Sequence, residues 1–314
     1  MKRAIIVVII LLAGFSVLTA QETLRQTNAN TAADKTNVLS KLNLKGVTEA
    51  NVSDIAVDLN NQGIKKALGE KNYPASVGYF RRAVEIAPNC LTCRCNWGMS
   101  LLRSEKQTEA LEVLQKLVTP KSDNADHLAA YGEALFNNDR IAESVPYFER
   151  ANELKPNDAA VLSNLGNSLY QLGQSERALK YFDAAIKAQP DLSAAHSNRG
   201  AALYTLERYK EAVESLRRAL AFDPDSAEAN NNLGVILSRV GKKKEALKYF
   251  TKAVHLRPNW SYALYNLAAN QLDLGDRDAA RALLASLEKV DSELAGNLRK
   301  HLWQKFVVNA SREK

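Results

Sequence analysis

Residues 159–192 read AAVLSNLGNSLYQLGQSERALKYFDAAIKAQPDL. Leu162, Leu165, Leu169 and Leu172 recur at helical spacing and form one apolar stripe, which predicts a first helix that stops at Gly173. A second helix begins near Ser175 and Glu176, turns Ala178, Phe182 and Ala185 inward, and ends at Pro190, which cannot continue the hydrogen-bond ladder. Gly166 and Ala178 are small where two helix backbones are expected to come close. One such hairpin cannot hide its own apolar side, so it needs copies of itself as neighbours.

Those copies exist. A shift of 34 residues brings Gly132, Gly166, Gly200 and Gly234 into register, with Pro156, Pro190, Pro224 and Pro258 closing successive units. Ala178, Ala212 and Ala246 share the period, as do Phe148, Phe182 and Phe250, with Leu216 between them. In these positions the chain resembles the tetratricopeptide repeat family, whose 34-residue helix pair carries small, aromatic and terminal Pro residues at fixed offsets. The resemblance implies an all-α fold, a right-handed α-solenoid of about seven helix-turn-helix units near 57–90, 91–124, 125–158, 159–192, 193–226, 227–260 and 261–294. The first unit is degenerate: Gly63 lies one residue early, Ser76 replaces the inner Ala, and Pro74 falls where the second helix begins. In the third unit Ser144 takes the Ala position, and in the second Pro120 comes two residues early. The last unit has Ala268 for the Gly and no closing Pro, and runs into a helix over 292–308 read as the solvating cap of an open array. Residues 309–314 read as a disordered tail.

Ahead of the repeats, residues 1–20 combine Lys2 and Arg3, an apolar run and a small residue at Ala20. That is the pattern of a secretory signal peptide; the competing reading is a retained anchor, because Ala4–Ala20 is just long enough to span a bilayer. Either reading puts the body outside the cytoplasm, as a periplasmic or secreted protein or as one tethered by residues 4–20. Residues 21–56, rich in Thr, Asn, Ala and Lys, read as a flexible spacer. The 314 residues are 46% hydrophobic and 25% charged with a net charge of +7; subtracting the two leader charges leaves +5, a mild excess for a nucleic-acid binder. Arg81-Arg82, Arg217-Arg218 and Lys242-Lys243-Lys244 fall on second helices or the turns into them, so a solvated face is expected and no nucleic-acid partner.

Two residues before each framework Gly stand Asn96, Asn164, Asn198 and Asn232, with Asn266 before Ala268, Gln62 in the first unit and Ala130 as the exception. Asn is a mediocre helix former, so its recurrence at one position asks for a reason. The resemblance extends to the superhelical repeats of O-linked N-acetylglucosamine transferase, without a catalytic domain. It implies that this row faces a concave surface and grips the main chain of an extended peptide. A carboxamide offers both a donor and an acceptor to a peptide backbone. The alternative is that the Asn side chains bond to a neighbouring helix or meet only water. A second row on the same helices, Leu102, Phe136, Tyr170, Tyr204, Ser238 and Leu272, supplies Phe136, Tyr170 and Tyr204 as candidate side-chain contacts, which hairpin packing explains equally well. Glu228 and Asn232 stand where the Lys and Arg of a carboxylate clamp would follow Asn167 and Asn198, which disfavours that partner class.

Cys90, Cys93 and Cys95 are the chain's three cysteines. Outside the cytoplasm a Cys90–Cys93 disulfide is feasible if Cys90 precedes the helix; inert packing and redox or metal work are the other readings. Arg94 stands where haem attachment needs His, and Cys93 and Cys95 point to different sides of a helix, so no metal site and no cofactor are expected. His127, His196, His255 and His301 have no accompanying nucleophile motif, and neither a phosphate loop nor HExxH is present. These readings converge on a non-enzymatic scaffold or assembly factor that binds an extended protein segment. The alternatives are a redox or metal-dependent accessory protein built on the three cysteines and a self-associating array.

Overall fold

A computed structural model describes residues 52–119 and 122–310, with side chains up to Leu302. The leader at 1–20, spacer residues 21–51, Pro120, the side chain of Phe306 and residues 311–314 lie outside the described residues. Fifteen α-helices follow one another: α1 Val52–Ile64, α2 Tyr73–Ile86, α3 Leu91–Arg103, α4 Gln107–Gln115, α5 Ala125–Asn137, α6 Ile141–Leu154 and α7 Ala159–Gln171, then α8 Ser175–Ala188, α9 Ser193–Thr205, α10 Tyr209–Phe222, α11 Ala227–Arg239, α12 Lys243–Leu256, α13 Ser261–Leu274, α14 Arg277–Val290 and α15 Ser292–Ala310. No strand occurs among the described residues. From α1 to α14, odd-numbered helices are the first, and even-numbered the second, of each repeat. Helix α1 starts at Val52, inside the stretch read as spacer, and α15 runs two residues past the expected end of the cap.

The chain divides into two compact units, broken between Leu172 and Gly173. In the unit ending at Leu172, consecutive helices from α1 to α7 pack on one another, and α3, α5 and α7 also touch in succession. In the unit from Gly173, α8 to α14 do the same, α9, α11 and α13 touch in succession, and α15 covers α13 and α14. Ala295 and Leu298 of α15 are fully buried there beside Leu264, Ala268 and Leu287, so the last hairpin's apolar side is closed as a cap requires.

The local chemistry follows the repeat. Asn72, Cys90, Asn124, Asp158, Ser226 and Asp276 cap helix N-termini, their side chains accepting from backbone N–H groups that otherwise have no partner. The framework Gly makes room for a large side chain of its own hairpin's second helix, and at Gly200 for that helix's backbone too, at the Ala212 carbonyl. A Cβ on Gly234 would lie 2.7 Å from the Phe250 ring, and one on Gly98 would lie 2.3 Å from Leu114. Leu114 thus does in the second unit what Phe148 and Phe250 do elsewhere. In the first unit the early Gly63 still meets Phe80, because α1 ends in a π-helical turn, Lys65–Gly69, in which the Glu70 N–H reaches the Lys65 carbonyl. A π-turn takes up one extra residue, which restores the register. The two serines at the inner Ala position are not defects. Ser76 donates to Ser100 and Ser144 pairs with Ser168, each at 2.9 Å across to the next first helix.

The turn inside each hairpin has one geometry in all seven repeats. Gly173, Gly241 and Gly275 have φ of +77°, +83° and +94°. Lys71, Glu105, Asp139 and Glu207 hold the corresponding position at +51° to +60°, left-handed values that an L side chain adopts at a cost of about 1–2 kcal/mol.

Candidate functional site

The first helices carry the residues singled out by sequence, and each unit brings a part of the row together. In the unit ending at Leu172, Asn96 is buried and its Nδ2 donates to Asn60 Oδ1 at 3.0 Å. Gln62 is not part of the row: it is exposed and donates to Asp58. The extra residue of the π-turn displaces it, so Asn60 lies inside instead. Asn164 is buried with its Oδ1 unpartnered, and Asn167, fully buried, has neither amide atom bonded. Phe136 and Tyr170 on α5 and α7 are part-buried.

In the unit from Gly173, three consecutive amides on α11 have three fates. Asn230 donates to the Pro224 and Ser226 carbonyls and so secures the turn before its helix. Asn231 accepts from Asn266 Nδ2 at 2.9 Å. Asn232 leaves its Oδ1 unpartnered, as Asn198 on α9 leaves its Nδ2. The Asn231–Asn266 bond spans 35 residues and the Asn60–Asn96 bond 36, the same geometry plus the residue added by the π-turn. Tyr204 on α9 is part-buried, its hydroxyl pushed up by burial, and its ring lies 5.7 Å from that of Tyr209; the two hydroxyls, Tyr209 first, hold the exposed Arg239 above its ordinary value.

The expectation of amides opening freely into a hollow is therefore corrected in two respects. Asn96 and Asn266 give their Nδ2 to a neighbouring helix, the alternative reading of the row. And Asn96, Asn164, Asn198 and Asn232 keep only 8, 5, 3 and 1% of their surface, while Asn266 alone is half-buried. Within each unit the small side chains at these positions let successive first helices lie side by side, so each covers the next.

The cysteine cluster has settled chemistry. Cys90 and Cys93 form a disulfide with Cα atoms 5.3 Å apart, both buried against Ala83, Val84 and Trp97. The Cys90 Sγ also accepts the Cys93 N–H, so the pair fixes the start of α3. Cys95 is a free thiol pushed up to about 12, first by burial and then by Asp126 and Glu133. The thiolate is the form that attacks or binds metal, and this site opposes it. Among the described residues no three His, Cys, Asp or Glu side chains are grouped to hold a metal ion. His127 is held below its ordinary value by burial, and His196 stacks on Phe222 with Nε2 2.9 Å from the Pro190 carbonyl. Two carboxylates on first helices are buried in ion pairs, which sequence reasoning did not flag: Glu133 with Arg103 at 3.1 Å and Glu228 with Arg257. Glu133 is raised by burial, against the pull of Arg103. Among the described residues no helix is long and apolar enough to cross a membrane.

A family profile described as tetratricopeptide repeat matches residues 95–159, 163–227 and 206–261, and a second profile of the same description matches 261–286. No curated protein sequence matches the chain. Among solved structures, a chain of the APC/C hetero-tetramer Cut9–Hcn1 superposes with a TM-score of 0.65 at 18% identity, over 93% of this chain and 61% of that one. PilW, a type IV pilus biogenesis factor, gives 0.59 at 21% identity over 68% of this chain and 98% of its own. PilF of Pseudomonas aeruginosa gives 0.57 at 17% identity over 67% and 97%. At these identities the likeness is one of fold. The repeat profiles cover more than half of the residues, and the helical hairpins follow them unit by unit: the chain belongs to the tetratricopeptide repeat family of helical protein-interaction scaffolds.

Proposed function

We propose that this protein is a non-enzymatic scaffold or assembly factor that holds an extended polypeptide segment against its first helices. The observation that supports this most is the set of unpartnered amide atoms at one repeat position: Oδ1 of Asn164 in one unit, Nδ2 of Asn198 and Oδ1 of Asn232 in the other. A buried polar atom without a partner destabilises a fold by about 1–3 kcal/mol, and so calls for an explanation, of which a ligand is one. The N–H and C=O groups of an extended backbone match both kinds of atom. The part-exposed Phe136, Tyr170, Tyr204 and Asn266 are the places where the segment first makes contact. The segment is supplied outside the cytoplasm, where residues 1–20 direct the chain, either released or tethered through residues 4–20.

The test is selection of a displayed library of random peptides on the immobilised full-length protein, repeated with Asn164, Asn198, Asn232 and Asn266 all changed to Ala. The reading requires peptides that the native protein enriches and the variant releases while keeping its helical circular dichroism. Peptides retained equally by the variant would end it. Light scattering over a concentration series separates self-association, which would show a mass rising with concentration and no peptide capture.

A further inference from the structure

Resting on that reading, we propose that the segment taken by the unit from Gly173 is an uncharged one, recognised through amide and hydroxyl groups and not through salt bridges. The first helices of this unit, α9, α11 and α13, carry four charged side chains, Arg199, Glu228, Arg239 and Asp273, two of each sign. Three of them are paired, and the fourth, Arg239, is exposed beside the Tyr209 and Tyr204 hydroxyls, which hold it above its ordinary value. Arg199 Nε lies 2.6 Å from Asp183 Oδ1, Glu228 pairs with Arg257, and Lys243 Nζ lies 3.2 Å from Asp273 Oδ2.

The second helices of the same unit are different in kind. Helix α12 alone has Lys243, Lys244, Lys248 and Lys252 against one acid, Glu245. Charge is thus segregated to the second helices, and the first-helix side has no net charge, with three of its four ions in pairs. At Arg199, Glu228 and Asp273 a charged ligand side chain would have to break an existing pair, and at Glu228 it would leave a buried carboxylate or its arginine alone, a loss that exceeds what the new contact returns. What the first helices do leave open is neutral. Asn198 and Asn231 each have a free donor, Asn232 has a free acceptor, and Asn270 has both, all of them buried. These suit main-chain amides and the side chains of Ser, Thr, Asn or Gln. The occupant is therefore a polar, uncharged stretch of another protein.

The composition of the selected peptides decides this. The selection is run on the full-length protein at about 50 mM and about 500 mM NaCl, a range over which exposed charge interactions become strongly screened. Its control arm is the Asn198→Ala/Asn232→Ala variant. The expected result is a core depleted in Asp, Glu, Lys and Arg by about threefold or more relative to the starting library, with capture changing less than about twofold between the two salts. Acidic or basic cores whose capture falls about tenfold at high salt, yet is still lost in the variant, overturn the neutrality and leave the scaffold reading standing. Capture unaffected by the variant, or none at all, removes both.

Discussion

Changing Asn232 to Ala and, separately, Asn266 to Ala tests the physics of the amide row with one residue type at one repeat position. In the native fold Asn266 Nδ2 donates to Asn231 Oδ1, and Asn231 is fully buried with its own Nδ2 already unpartnered. Removing Asn266 leaves Asn231 without any bond, a penalty of about 1–3 kcal/mol that Ala's better helix propensity offsets by about 0.6 kcal/mol. Asn266→Ala should therefore lose about 1–2 kcal/mol of stability. Asn232 is the opposite case. It is 1% exposed and its Oδ1 has no partner, so truncation removes a penalty, adds the same propensity and leaves a small void. Asn232→Ala should be neutral or more stable by up to about 2 kcal/mol. Urea unfolding followed by circular dichroism, with the slope compared between variants to detect loss of cooperativity, measures both. Equal destabilisation by the two substitutions would refute the reasoning, because it would mean that the Asn232 carboxamide is bonded in solution. If Asn232→Ala also reduces peptide capture, the unpartnered atom is retained for binding at the expense of stability.

Four further outcomes follow from particular contacts. Ala246 lies 24 residues before Asn270, the spacing of the Ser76–Ser100 and Ser144–Ser168 pairs, so Ala246→Ser should give the buried Asn270 a partner and raise the urea midpoint by the equivalent of about 0.5–1.5 kcal/mol; a fall would show that the register differs there. Glu207→Gly relieves a left-handed residue with φ +60° and should stabilise by up to about 1 kcal/mol in the same assay, whereas destabilisation would show the turn relaxed in solution. Burial raises Glu133 above its unfolded value, so the fold binds this proton more tightly than the unfolded chain; its contribution is fully present below the ordinary glutamate range and is lost as pH rises through the folded value. Glu133→Gln should accordingly show a shallower fall in stability across that rise than the native protein, and parallel curves would exclude the effect. Denatured without reductant, the protein should titrate one thiol, and with reductant three; native Cys95, raised from 9.0 to about 12, should alkylate about a thousandfold more slowly than a free cysteine. Three thiols without reductant, or fast alkylation, would return the cysteines to consideration as reactive groups.

The repeat was legible because several independent positions share one period, and a hairpin with one apolar side has few ways to bury it other than by stacking on copies. Individual departures from the period were less legible. Gly63 read as a misplaced residue until the π-turn accounted for it, and Ser76 and Ser144 read as substitutions although each bonds to a serine 24 residues on. The left-handed turns at Lys71, Glu105, Asp139 and Glu207 gave no local signal, because the packing of the two flanking helices imposes a conformation that the residue itself disfavours.

The amide row shows the same division. Its existence and spacing are properties of the chain alone, as are the period, the helical class and the place of the cap. Whether a given Asn is bonded or unpartnered is decided by what lies 35 or 36 residues earlier on the preceding first helix: an Asn at 231 for Asn266, an Asn at 60 for Asn96, and no partner for the buried Oδ1 of Asn232. A side chain's chemistry is written in its own residue. Its burial and its hydrogen-bond partner belong to neighbours that only the folded stack brings within 3 Å.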